Sequence, residues 1–299
     1  MSLSKDLADY AKAITDDKEH GASHLLKVAA GSLNTALLKN PKTDPLEVRA
    51  AAKEYAVRMI HGQRQMASVL NFCNNLLLTI EATKDDASLL KELKNYSLGI
   101  SKNSSEALAK ISTHANESVI GSVFMTHSRS STLLAFLTGI KKRKDFLVFV
   151  TTSRPGSEGK LLAGELSVAG VRSVLIEESE AMAHMGAVSA LLVGADAIIP
   201  SGVINKVGTH MLALAARERG IPVYCMTERI KIWPFDEPIV SNLNIDASKT
   251  HVGETLYELT PGSLFELIIL ETGPTTFEKI SLERKEMDIV PEIRKLVKV

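Results

Sequence analysis

Val119-Ile120-Gly121-Ser122-Val123-Phe124-Met125 is a short apolar run that ends in a polar loop, Thr126-His127-Ser128-Arg129-Ser130-Ser131, before a helical pattern opens near Thr132. A run that is apolar at consecutive positions reads as a strand covered on both faces. Similar runs recur at 147–150, 174–176, 190–193, 222–225 and 264–270, and helical patterns separate most of them. Short apolar strands alternating with helices make βαβ units and a parallel sheet between helical layers. The expected fold class is therefore α/β, with a Rossmann-like, mostly parallel sheet domain over 118–299. In such sheets ligands bind outside the carboxyl ends of the strands, where this sequence carries polar loops with glycines.

Upstream of Val119 the pattern is helical. Leu25, Leu26, Val28, Ala29, Leu33, Ala36 and Leu37 recur at helical spacing. Asn40 to Pro45 interrupts them, and Asp44-Pro45 reads as an N-cap followed by proline in the first helical position. Val48, Ala51, Ala52, Tyr55, Met59 and Ile60 form a second stripe, and Met66, Val69, Leu70, Cys73, Leu76 and Leu77 a third. A last helix is expected from Asp86 towards His114. No β-branched run breaks this region, so 1–117 is expected to be an antiparallel helical domain.

Composition narrows the function classes. Lys plus Arg equals Asp plus Glu, 35 of each, so no net field draws the chain to nucleic acid or to a membrane surface, and direct nucleic-acid binding is not expected. Lys141-Lys142-Arg143-Lys144 reads as cations at a helix end, where they complement the dipole. No stretch approaches the about 18 apolar residues that span a bilayer. The N-terminus does not resemble a signal peptide. Cys73 and Cys225 read as buried thiols, which suits a reducing compartment and a cytoplasmic location. The eight histidines show no metal-ligand spacing, and the chain lacks both the Walker-type loop and the Gly-x-Gly-x-x-Gly turn. Neither a metal nor a cofactor is expected.

Four strand-end loops carry candidate ligand contacts. In the first, His127, Ser128 and Arg129 precede a helix N-terminus, a natural place for an anion. In the second, Thr151 to Gly159, Arg154 could fork onto a phosphate. The third, Gly194 to Thr209, combines Asp196 at a strand end, Asn205, Lys206 as a point charge, and Gly208-Thr209 opening a helix. In the fourth, Lys231 lies just past a strand end. Together they predict a binding site for a small phosphorylated metabolite.

Spaced in this order, Thr126-His127-Ser128, Ser153-Arg154-Pro155, Gly194-Ala195-Asp196, Asn205-Lys206-Val207-Gly208-Thr209 and Leu259-Thr260-Pro261 resemble one family. It comprises the regulatory alpha, beta and delta subunits of eukaryotic translation initiation factor 2B, their archaeal homologues, and the isomerases of methylthioribose 1-phosphate and ribose 1,5-bisphosphate. The resemblance runs from about Ser118 to Ile280. It implies a helical domain followed by a Rossmann-like one, and pairing through the latter into a homodimer or larger homo-oligomer, with 264–270 as compatible apolar surface. Gly21-Ala22-Ser23 sits where the isomerases have a Gly-rich substrate loop after an arginine; His20 stands in the arginine's place. The isomerases use a cysteine and an aspartate. Asp196 matches the aspartate, while Ser128 occupies the cysteine position. A hydroxyl is a far weaker acid than a thiol of pKa about 8.5, so binding groups are retained while half of the acid–base pair is lost.

Two readings follow. In the first, the chain is a regulatory-subunit-like protein that binds a sugar phosphate or nucleoside monophosphate, with initiation factor 2 as a partner. In the second, it is an aldose–ketose isomerase acting on ribose 1,5-bisphosphate or a related sugar 1-phosphate, with Asp196 and Ser128, or a repositioned group, as catalysts. A metabolic scaffold without a role in translation is a third, weaker reading.

Overall fold

The computed structural model describes residues 2–17, 21–63, 66–236 and 255–297. The chain divides into two compact units. The first comprises Met1–Glu106, Ile230–Pro234 and Glu286–Val299, and the second Ala107–Arg229 and Phe235–Lys285.

The first unit is built from α1 (Leu3–Asp16), α2 (Ala22–Lys39), α3 (Pro45–Gly62), α4 (Ala67–Ala82) and the first part of α5 (Asp86–Ser118). Asp44 caps α3 by accepting from Leu46 N, with proline in the first turn as the sequence predicts. The three stripes face inward apart from Val28, which is exposed: Leu25, Leu33, Leu37, Tyr55, Met59, Cys73 and Leu76 are all buried. The buried Tyr55 hydroxyl donates to Ala29 O at 2.9 Å, which removes the cost of an unpaired polar group.

The unit does not end where the periodicity changes, at 117/118. Two buried asparagines on α4 recruit chain from far downstream. Asn71 Nδ2 donates to Ile230 O and Ile232 O at 2.8 and 2.7 Å. Asn74 donates to Asp288 O at 2.8 Å and accepts from Val290 N at 3.0 Å. Trp233 and α11 (Pro291–Val297) accordingly belong to this unit, and Trp233 is core.

The second unit contains β1 (Val123–Thr126), α6 (Ser131–Gly139), β2 (Leu147–Thr151), α7 (Glu158–Val168), β3 (Ser173–Ile176), α8 (Ala181–Met185), β4 (Ala190–Val193), β5 (Ala197–Ile199), β6 (Gly202–Lys206), α9 (Thr209–Glu218), β7 (Val223–Met226), β8 (Tyr257–Pro261), β9 (Leu267–Leu270), β10 (Gly273–Thr275) and α10 (Phe277–Glu283). Seven strands form one sheet in the order β10-β9-β7-β4-β1-β2-β3. All neighbours are parallel except β9 and β10. Phe124, Phe136, Val148, Val150, Leu162, Leu192 and Ile269 lie in its core. The chain moves outward from β1 to β3 and then returns to place β4 on the other side of β1. The loops after β1 and β4 thus leave the sheet at its switch point, where open α/β sheets bind ligands.

Three local expectations change. Residues 194–209 are not one long loop: β5 and β6 pair antiparallel, Ile198 opposite Val203, and β8 extends them into a separate three-stranded sheet. Pro200 and Gly202 punctuate a hairpin here, so Asp196 precedes β5 by one residue and lies beyond the end of β4. The segment 264–270 does not form an apolar surface; Ile268, Ile269 and Leu270 are buried in β9. The basic run follows α6, but its arginine serves another helix: Arg143 donates to Asn116 O at 3.1 Å and Val119 O at 3.2 Å, at the C-terminal end of α5, where a cation suits the dipole.

Candidate functional site

His127 is the hub of the strand-end loops and is fully buried. Its Nε2 lies 2.7 Å from Val207 O. A carbonyl only accepts, so Nε2 carries the proton, and Nδ1 accepts from the Thr151 hydroxyl at 2.6 Å. Burial holds the imidazole pKa below its ordinary value, so the ring is neutral at pH 7 and both nitrogens are committed. It fastens the loop after β1 to the end of β2 and to the turn before α9.

Ser128 and Ser153, in the loops after β1 and β2, both adopt the left-handed conformation, with φ 66°. L-residues rarely hold it unless neighbours enforce it. Here Ser128 N donates to Ser153 Oγ at 2.7 Å, Ser153 Oγ donates to Thr151 O at 3.0 Å, and Ser153 N donates to the Glu178 carboxylate. The Ser128 side chain is half-buried.

Lys206 ends β6 with its side chain only 3% exposed, and its Nζ meets Glu158 Oε1 at 2.9 Å. Glu158 opens α7, brought close to β2 by Gly159: a Cβ there would lie 1.8 Å from Thr151 O. Beyond Lys206 the turn is internally bonded. Asn205 Nδ2 donates to Thr209 Oγ1 at 3.1 Å, and that hydroxyl donates to Lys206 O at 2.6 Å. Gly208 has φ +103°, and a Cβ on it would press on the His127 ring at 3.0 Å.

The predicted residues therefore divide. His127, Ser128, Asn205, Lys206, Gly208 and Thr209 come together in one bonded cluster with Thr151, Ser153 and Glu158. Asp196 is half-buried beside it in sequence, its N–H on Ile204 O at 2.8 Å. Two arginines turn to carboxylates instead. Arg129 forks onto Glu165 at 2.9 and 2.6 Å. Arg154, exposed, reaches Glu177 at 3.2 Å, and this hydrogen bond holds the Glu177 carboxyl below its usual range. Gly21, Ala22, Ser23 and Lys231 belong to the first unit: Gly21 is the N-cap of α2, Ala22 is buried in its first turn, and Lys231 is buried in a single 3-10 turn, Arg229–Lys231. His20 lies outside the described residues. Sequence reasoning missed Glu178 and Glu258, which arrive from β3 and β8; no motif or spacing marks them.

The sequence signature of the initiation factor 2 subunit family, IF-2B, matches residues 18–276. The chain belongs to this family. A Pyrococcus abyssi protein named as translation initiation factor eIF-2B subunit 2-like is 31% identical over 228 residues, covering 75% of this chain and 80% of that protein. The ribose 1,5-bisphosphate isomerase of Thermococcus kodakarensis is 27% identical over 297 residues, covering 91% and 92%. The crystal structure of the Pyrococcus horikoshii OT3 translation initiation factor eIF-2B matches with a TM-score of 0.72 at 28% identity, over 90% of this chain and 96% of that one. IF-2B relatives thus carry both kinds of name. Among the described residues no helix is long and apolar enough to cross a membrane.

Proposed function

We propose that this IF-2B family member is a regulatory-subunit-like protein of the cytoplasm that binds a sugar phosphate or nucleoside monophosphate without isomerising it. The observation that carries the reading is the state of Ser128 and its neighbour. By the sequence resemblance the hydroxyl takes the place of the isomerases' cysteine, and the adjacent imidazole has both nitrogens engaged, by Val207 O and Thr151 Oγ1. Neither nitrogen of that ring is left to take the serine proton, and an unassisted hydroxyl gives almost no alkoxide at neutral pH. The binding side of the site is Lys206, Asn205 and the Ser128 loop, with Arg129 and Arg154 as further contacts. Initiation factor 2 and further copies of the chain are the partners in this reading. Native mass spectrometry of the purified protein tests it: a phosphorylated sugar or nucleoside monophosphate should copurify, with a mass above that of one chain.

A specific observation also favours the isomerase reading. Asp196 follows β4, and β4 pairs with β1, which leads into the Ser128 loop, so the two positions that match the isomerases' aspartate and cysteine leave the sheet from neighbouring strands. Incubating ribose 1,5-bisphosphate with the protein and watching for a ketose by NMR separates the two: rapid turnover abolished by Asp196→Asn selects the isomerase.

A further inference from the structure

The turn before α9 has a chemistry that the ligand reading does not use. Position 208 must be glycine, because its φ is +103° and a Cβ would meet the His127 ring at 3.0 Å. Glycine has no side chain to cap with, and α9 accordingly lacks a side-chain cap from its own N-cap residue. Its first N–H groups, carrying the positive end of the helix dipole, would be open to any anion. They are not open. A single oxygen of Glu258, Oε1, accepts from Gly208 N at 2.7 Å and from His210 N at 2.8 Å. Both distances are those of charge-assisted hydrogen bonds.

The carboxylate is not on a loop that could swing away. Glu258 sits on β8 opposite Asn205 of β6, and the pairing extends past the strand end through Val207 N to Leu256 O at 3.0 Å. The same turn is tied on its other side by His127 to Val207 O.

We propose that Glu258 is a built-in anion that closes the α9 N-terminus to ligand phosphate and so determines which part of this site reads a phosphate and which does not. Lys206, at the other end of the turn, stays the phosphate-reading group, while Gly208 and His210 amides are reserved for the protein's own carboxylate. The inference goes beyond the ligand reading, since it concerns any phosphate and holds whichever metabolite the site takes.

The experiment uses full-length protein labelled with 15N-glycine, titrated with inorganic phosphate at constant ionic strength. In the wild type the Gly208 amide should not move saturably. In Glu258→Ala, verified as folded by circular dichroism, it should shift saturably, with phosphate affinity at this amide at least about tenfold above wild type. A wild-type Gly208 that titrates as the variant does, or a folded Glu258→Ala that shows no saturable shift, overturns the proposal. Should the alanine variant fail to fold, Glu258→Gln keeps an acceptor oxygen and removes only the charge. The Gly208 amide proton should then move upfield; an unchanged resonance overturns the proposal equally. Copurification of a sugar phosphate with wild-type protein is a separate readout, so failure of the ligand reading and failure of this inference are told apart.

Discussion

His127 Nε2 donates to the carbonyl oxygen of Val207 at 2.7 Å across 80 residues of sequence. This bond joins a turn of the small antiparallel sheet to the loop at the switch point of the large one, and it sets the first prediction. Because burial lowers the folded-state pKa of His127 and the unfolded value is about 6.5, the unfolded chain takes up a proton that the native state refuses. The corresponding stability is fully present above about pH 6.5 and is lost as pH falls towards the depressed native pKa. Urea unfolding between pH 7.5 and 5 should show stability falling with pH, and His127→Phe should flatten that part of the slope. An unchanged slope would mean the ring is not neutral.

Two glycines five residues apart on α7 should respond oppositely. Gly159→Ala puts a Cβ 1.8 Å from the Thr151 backbone oxygen, which only a backbone shift can relieve. We expect a loss of about 3 kcal/mol or more, a size seen when strain is forced into a packed core. Gly164→Ala meets nothing within 4 Å in the same helix and should gain about 0.5–1 kcal/mol from helix propensity alone. Thermal melts of the two variants check both signs.

Lys206→Met tests the phosphate. It removes a cation that is 3% exposed and leaves Glu158 without it. A charge-assisted bond is worth roughly 1.5–3 kcal/mol, so calorimetry with the copurifying phosphorylated metabolite should show affinity falling about tenfold or more. Equal affinity would move the phosphate elsewhere.

Ser128 tests the chemistry. Removing one positioned acid or base typically costs about 10²–10⁴ in rate, so wild-type protein should convert ribose 1,5-bisphosphate slowly or not at all. Ser128→Cys should raise any residual rate, measured by NMR of the ketose product. Efficient turnover by the wild type would promote the isomerase reading.

Much of the fold was legible because its signals are local. Consecutive apolar residues at 123–125, 147–150 and 190–193 can only be strands covered on both faces, and the stripes of α2, α3 and α4 repeat with the helical period. The hairpin β5–β6 was not, because Asp196, Pro200, Gly202 and Lys206 look like loop residues; the strand state of Gly202 and Lys206 comes from pairing with β8, more than 50 residues downstream of Ile204. Arg129 and Arg154 illustrate the same limit at the site. Their charge and position beside strand ends invite a phosphate, yet each finds a glutamate, Glu165 or Glu177, that adjacency in sequence does not announce.

By itself the sequence determined the alternation of strands and helices, the helical character of the first hundred residues, the family resemblance and the strand-end loops where chemistry gathers, since each depends on periodicity or on residues near one another in the chain. Only the tertiary structure decided which of those residues meet. Glu178 reaching Ser153, Glu258 taking the end of α9, and Asn71 and Asn74 drawing distant segments back to the helices are matters of direction and distance in space. A hydrogen bond needs donor and acceptor within about 3 Å and in line, and no local pattern encodes that for residues separated by 25 to 216 positions.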